Sequence, residues 1–154
     1  MNGLSADEKI GVSVVIVGAF LVAMQFAFPA RHWFPVGDIK VESGPEPAAL
    51  AVSYDREIER TFDGSWRIQI WRVLPDGARI VACNTGLIET TYPAGAKLPE
   101  GGIDLAWFVD KHTECLSLAP GHYEMQVTWV INEGGVLLQR SIHRETTFEV
   151  TSDG

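Results

Sequence analysis

Residues 122–132, HYEMQVTWVIN, decide how the rest of the chain is read. Tyr123, Met125, Val127, Trp129 and Ile131 are apolar at every second position, and Glu124, Gln126, Thr128 and Asn132 stand between them. Successive side chains of a strand point to opposite faces, so the pattern predicts a strand with one buried and one wet face, as antiparallel sheets have. A helix would need apolar residues spaced by three and four, and this stretch lacks that spacing.

Working outward, Glu133-Gly134-Gly135 supplies turn chemistry between this strand and a run from Val136 to Ile142, with Thr146 to Val150 as a closing strand. On the other side, Leu118-Ala119-Pro120-Gly121 leads into Tyr123, whose hydroxyl can bond back to the turn and lock a corner between sheets. Trp66, Ile68 and Ile70 form a second inward row, with Arg67 and Gln69 outward, and Pro75-Asp76-Gly77 joins Trp66–Leu74 to Arg79–Cys83 as a hairpin. Leu50–Ile58, Leu87–Tyr92 and Ile103–Val109 are further strand candidates. Short strands at this density, with no long amphipathic helix, predict an all-β domain, an immunoglobulin-like antiparallel β-sandwich in architecture. The order Cys83, Trp107, Cys115 departs from true immunoglobulin domains, in which the second cysteine follows the corner tyrosine.

The chain has 154 residues, 46% hydrophobic and 21% charged, with a formal charge of -8 and a mean hydropathy of +0.07. Those averages conceal two objects. Residues 10–28, IGVSVVIVGAFLVAMQFAF, carry no charge, whereas residues 36–154 hold 18 acidic and 10 basic side chains. Nineteen helical residues extend roughly 28 Å, about the hydrocarbon thickness of a bilayer, so Ile10–Phe28 is expected to span one as a single transmembrane helix. A cleaved signal peptide is the competing reading, but cleavage after Ala30 or Ala27 would place Phe28 or Gln25 at the third position before the cut. An uncleaved signal-anchor is therefore expected. Lys9 and Arg31 flank the run, and Phe26, Phe28, Trp33 and Phe34 supply an aromatic belt. Gly11, Ala19, Ala23 and Ala27 lie on one helix face, where small residues permit close contact with a second helix.

The expected organisation is a cytosolic tail over 1–9, the transmembrane helix over 10–28, an interfacial segment and linker over 29–49 with a short strand at Ile39–Val41, and the β-sandwich over 50–154. Two cysteines behind a membrane segment predict a Cys83–Cys115 disulfide formed in an oxidising compartment. That orients the chain with its amino terminus cytosolic and its domain periplasmic or extracytoplasmic, a single-pass inner-membrane protein. The bridge isolates residues 84–114, including the irregular run Pro93–Gly102. Tyr92, Lys97, Trp107 and Phe108 are accordingly the candidate partner contacts, because loops pinned on a rigid scaffold carry recognition at low ordering cost.

Chemistry-bearing motifs are sparse. Asp110, His112 and Glu114 would share one face of a strand, but a fourth ligand at metal-site spacing is missing. No nucleophile elbow, phosphate-cradling loop or CxxC is present, so no catalytic, cofactor-binding or metal-binding residue is assigned and no enzyme activity is expected. A domain at -8 repels phosphate backbones, which excludes nucleic acid and favours protein or cationic partners. The order Trp66, Arg72, Cys83, Tyr92, Leu98-Pro99, Leu105, Trp107, Cys115, Leu118, Pro120-Gly121, Tyr123, Trp129 resembles small membrane-anchored two-Cys β-domain proteins of bacteriophages and prophages. The resemblance implies a phage or bacterial setting and carries over no activity. The expected function is a membrane-anchored protein-interaction module whose partners are the lipid bilayer, through the helix, and an unidentified protein. The alternatives are an accessory subunit of a homo-oligomer or larger membrane complex held through the helix, and a small metal-assisted or hydrolytic enzyme.

Overall fold

A computed structural model describes residues 6–27, 34–110, 112–132 and 139–152. Helix α1 (Ala6–Ala27) is followed by strands β1 (Lys40–Val41), β2 (Ala51–Ser53), β3 (Phe62–Val73), β4 (Arg79–Asn84), β5 (Ile88–Tyr92) and β6 (Ile103–Asp104). Two one-turn helices, α2 (Leu105–Phe108) and α3 (Thr113–Leu116), precede β7 (Gly121–Asn132) and β8 (Gln139–Val150). The chain is mostly β-sheet. Five strands form a large antiparallel sheet in the order β4-β3-β7-β8, with β5 also on β3, and β1-β2-β6 form a small one.

β3 and β7 run in register from Gly64 opposite Ile131 to Val73 opposite His122. This puts Ile68, Ile70, Met125, Val127, Trp129 and Ile131 on one face, all at most 1% exposed. Each contributes about 1.5–3 kcal/mol on burial, so this face is the energetic centre of the domain. At Gly64 a Cβ would meet the Val130 carbonyl at 2.8 Å, so only glycine lets the strands close where Phe62 and Tyr92 stack at 4.8 Å.

β3 is long enough to carry two neighbours on its outer edge, β4 against Gln69–Val73 and β5 against Phe62–Trp66. Thr85 fills the gap between them. Its amide donates to the Ile68 carbonyl at 3.1 Å, and its Oγ1 accepts from the Ile68 amide at 3.1 Å.

The structure departs from the sequence-based expectation in several places, and of the Leu50–Ile58 candidate only Ala51–Ser53 is strand. Ile103–Val109 is strand only at its first two residues and then becomes α2, because Leu105, Phe108 and Val109 bury themselves at the helical spacing of three and four. The two strands expected near Val136–Ile142 and Thr146–Val150 are one continuous strand, since twelve residues of β7 offer a ladder to all of β8. The Glu133-Gly134-Gly135 turn and Val136 lie outside the described residues. The charged run His143-Arg144-Glu145 stays in that strand because Arg144, on the inward face opposite Val127, donates through Nε to the Gly37 carbonyl at 3.1 Å and through Nη2 to the Val36 carbonyl.

Further departures concern the segment ahead of Leu50, read as a spacer. From Phe34 onward it is packed, with Phe34, Val36 and Ile39 0%, 4% and 3% exposed, while β1 matches the short strand expected at Ile39–Val41 and extends the small sheet. Phe34 packs on Phe62 at 5.0 Å and Tyr92 at 5.3 Å, so it belongs to the domain core and not to a membrane belt. Phe28, Arg31 and Trp33 lie outside the described residues. α1 is 22 residues long, with side chains described over Ile10–Phe20 and at Ala23. Among the described residues no helix is long and apolar enough to cross a membrane.

Cys83 and Cys115 form the expected disulfide, with Cα atoms 5.1 Å apart, joining β4 to α3. The corner before β7 is tied twice. Tyr123 donates its hydroxyl to the Ala119 carbonyl at 2.5 Å, and Arg72 donates to the Pro120 carbonyl at 2.9 Å. Gly121, at φ 155°, leaves the space that the Arg72 guanidinium occupies.

Replacing Cys83 and Cys115 together by serine is expected to lower unfolding free energy by about 3.5–4 kcal/mol, the loop-closure value for this separation. Tyr123→Phe should cost about 1 kcal/mol by losing one hydrogen bond. Denaturant unfolding curves test both, with a steeper slope expected for the double-serine variant because its unfolded chain is less constrained, and wild-type midpoints would contradict the roles given to the bridge and the corner.

Candidate functional site

The covering layer over the large sheet is built from short and irregular pieces, and where three of them meet they leave an open groove of about 880 Å³. One wall is Pro35–Lys40, the second Ser53–Ile58 and the third Gly95–Gly102. The first two are joined by the isolated pairing of Val36 with Arg56 and by the Gly37 amide donating to the Asp55 carbonyl at 2.7 Å. The third is fixed to the second where the Gly95 amide donates to the Ile58 carbonyl at 2.7 Å. Gly101 and Gly102 have φ of 89° and 87°, a backbone that L side chains rarely adopt, and Gly102 also passes so close to the Val52 carbonyl that no Cβ fits.

Charges of both signs line the groove: Lys40, Arg56 and Lys97 against Asp38, Asp55, Glu57 and Glu100. Arg56 is set apart by its surroundings. Its guanidinium lies 5.9 Å from the Tyr54 ring centroid and 5.7 Å from that of Tyr92, and Nη1 donates to the Tyr54 hydroxyl at 3.4 Å. Two buried side-chain nitrogens lack a hydrogen-bond partner among the described residues, Nε of Arg56 and Nε of Arg67, and only Arg56 lines the groove. The tyrosines beneath are core residues, 8% and 5% exposed. Burial raises both phenols above their ordinary value, with Tyr54 pushing Tyr92 further up and Arg56 opposing the shift at each.

Of the four contact residues expected from the sequence, Lys97 lines the groove and is exposed. Tyr92 lies under it as the ring beside Arg56. Phe108 is 2% exposed and packs on Tyr54 at 5.8 Å. Trp107 stands apart from the groove, 60% exposed and stacked on Trp66 at 6.5 Å with the rings 7° from parallel, while Trp66 donates its indole N–H to the Phe108 carbonyl at 3.0 Å. Sequence reading missed Arg56 and the first two walls. The one signal there was Tyr54-Asp55-Arg56-Glu57, an aromatic beside a mixed-charge run.

Asp110, His112 and Glu114 do not share a strand face: Asp110 follows α2 at φ 50°, His112 caps α3 and Glu114 is inside it. Among the described residues no three His, Cys, Asp or Glu side chains are grouped to hold a metal ion. On α1, Gly11, Ala19 and Ala23 are exposed, and the side chain of Ala27 is outside the description. Comparison with family models, with curated proteins and with solved structures finds no match.

The raised phenols make the stability of the fold depend on pH in the alkaline range. Unfolded tyrosines ionise near 10, while the folded ones hold their protons to higher pH, so their contribution is complete below pH 10 and falls as pH rises above it. Stability is expected to decline above pH 10 and Tyr92→Phe to flatten the decline, measured by denaturation across alkaline pH. An unchanged slope in that variant would remove Tyr92 as the cause.

Proposed function

We propose that this protein is a single-pass, membrane-anchored interaction module of a phage or prophage, with its disulfide-bonded domain outside the bacterial inner membrane and its groove turned to a protein partner. The observation that carries the reading is the Cys83–Cys115 bridge, since such bonds persist in oxidising compartments and are rare in the cytosol. The anchor is supported by the 19-residue uncharged run of the sequence. Ile10, Val14, Val15, Ile16 and Phe20 are 62–70% exposed, apolar surface that a bilayer would cover.

The finer architecture we propose is an immunoglobulin-like sandwich. The order β4-β3-β7-β8 corresponds to strands C′, C, F and G of a variable-type sheet, and β1-β2-β6 to A, B and E. Gly44 pairs in parallel with Val150, so the first segment also meets the last strand, and Tyr123 bonds back across four residues as a corner tyrosine does. The disulfide departs from the B-to-F position of antibody domains.

In cells, the chain is expected to remain in membranes after alkaline carbonate washing and to resist thiol alkylation until reduced. A photo-crosslinker at Lys97 is expected to capture a protein. Alkylation without reductant would sink the compartment, and crosslinks from Val14 alone, with none from Lys97, would transfer the contact to the helix and favour an accessory subunit.

A further inference from the structure

We propose that this protein forms a two-fold dimer in which the β4–β5 edges of two copies pair antiparallel and join the two large sheets into one. The surface is distinct from the groove, and the inference goes beyond the interaction-module reading.

The edge is open and apolar. β4 and β5 lie end to end along β3, and among the described residues no strand pairs with their other side. Outside α1, four large apolar side chains are exposed among the described residues, Ile80, Val81, Leu87 and Trp107, at 55–60%. All four gather here: Ile80 and Val81 are in β4, Leu87 immediately precedes β5, and Trp107 stacks on Trp66, whose partner in β5 is Ile88. The opposite edge is blunted. Along β8 the exposed side chains are Ser141, His143, Glu145, Thr147 and Glu149, and Gly44 pairs at its end. Native sheets protect free edges with polar side chains in this way, and an edge left apolar is a template for another strand.

The sequence of the edge selects the strand that pairs with it. Asn84 stands opposite Gln69 of β3. Counted along β3 from Gln69, Arg79 opposite Val73 and Glu89 opposite Ser65 lie four places to either side, and Ile80 opposite Arg72 and Ile88 opposite Trp66 lie three places to either side. Val81, opposite Trp71, is two places away on one side, and Leu87 precedes Ile88 on the other. Each side also holds one extra residue, Ala82 at the bulge of β4 and one between Thr85 and Ile88, so the irregularities face each other and the pairing keeps step. A two-fold axis at Asn84 therefore sets Arg79 of each copy against Glu89 of the other, Ile80 against Ile88 and Val81 against Leu87. Opposite charges and β-branched or aliphatic residues directly across a ladder are the pairs that stabilise antiparallel strands. Arg79 already pairs with Glu124 at 2.7 Å, but its side chain is 56% exposed and has room for a second carboxylate. An unrelated strand would find the same backbone groups. The matches of charge and apolar surface belong to the edge facing itself, as an isologous contact requires, and they select a second copy.

Sedimentation of the full chain in detergent micelles tests the proposal, with a concentration-dependent dimer expected. Arg79→Glu and Glu89→Arg each set like charges together at both ends of the pairing and should raise the dissociation constant about tenfold or more, while Arg79→Glu combined with Glu89→Arg should return it to within about threefold of wild type. Val81→Lys puts on the edge the residue that commonly blocks strand addition, and should give a monomer with unchanged circular dichroism. Should that variant fail to fold, the charge reversals decide alone. A monomer at every concentration, a combined variant no tighter than the single ones, or a dimer that survives in folded Val81→Lys overturns the proposal. A surviving dimer that Ala19→Leu combined with Ala23→Leu abolishes would assign the association to α1 instead.

Discussion

The pairing of β3 with β7 constrains everything else in the domain. Ten consecutive residue pairs fix which side chains face inward, and a slip of β7 by one residue would send Met125, Val127, Trp129 and Ile131 to the outer face together. With the register fixed, one face must be covered over its whole length. Among the described residues no long helix packs on it. The cover comes from the small sheet, α2, α3 and the segments between them, so their irregularity is imposed by the large sheet's need for a second layer.

A layer of short pieces has little cooperativity of its own, and it is held at a few strong points. Arg144 reaches out of the sheet to the carbonyls of Val36 and Gly37, fixing the first segment. The disulfide fixes α3 to the sheet edge, where β4 has only β3 as a neighbour. Trp66 bonds the Phe108 carbonyl and so fixes the end of α2. By contrast the exposed ion pair of Arg79 with Glu124, at 2.7 Å, is worth about 0–1 kcal/mol and holds nothing that the ladder does not already hold.

Period-two alternation made the large sheet legible in the sequence, because β3 and β7 bury most of one face and only part of the other, although Ser65 and Thr128 on that second face are buried too. The inward row from Tyr123 to Ile131 is buried as that pattern requires. The small sheet was harder to read, since strands of two or three residues are too short to show a period. α2 was hidden because Ile103–Val109 is apolar apart from Asp104, and composition alone does not separate a strand from a buried helical turn. The spacer reading failed at Phe34, Val36 and Ile39, where frequent Pro, Gly and Glu outweighed three well-spaced apolar residues. Of the groove, Lys97 was visible as part of a pinned loop. Arg56 was not, because its significance comes from Tyr92, 36 positions away, and only the fold brings the two together.

The domain's acidity and the groove's arginine act over different distances, which reconciles them. At physiological ionic strength charges are screened beyond about 8 Å, so a partner approaching the surface meets the net field, which favours a basic segment. Inside the groove the nearest charges decide, and there Asp38, Asp55, Glu57 and Glu100 stand with Lys40, Arg56 and Lys97, the Arg56 guanidinium lying beside the Tyr54 and Tyr92 rings with its Nε buried. The net charge of the domain is therefore no guide to the charge inside the groove, where both signs meet.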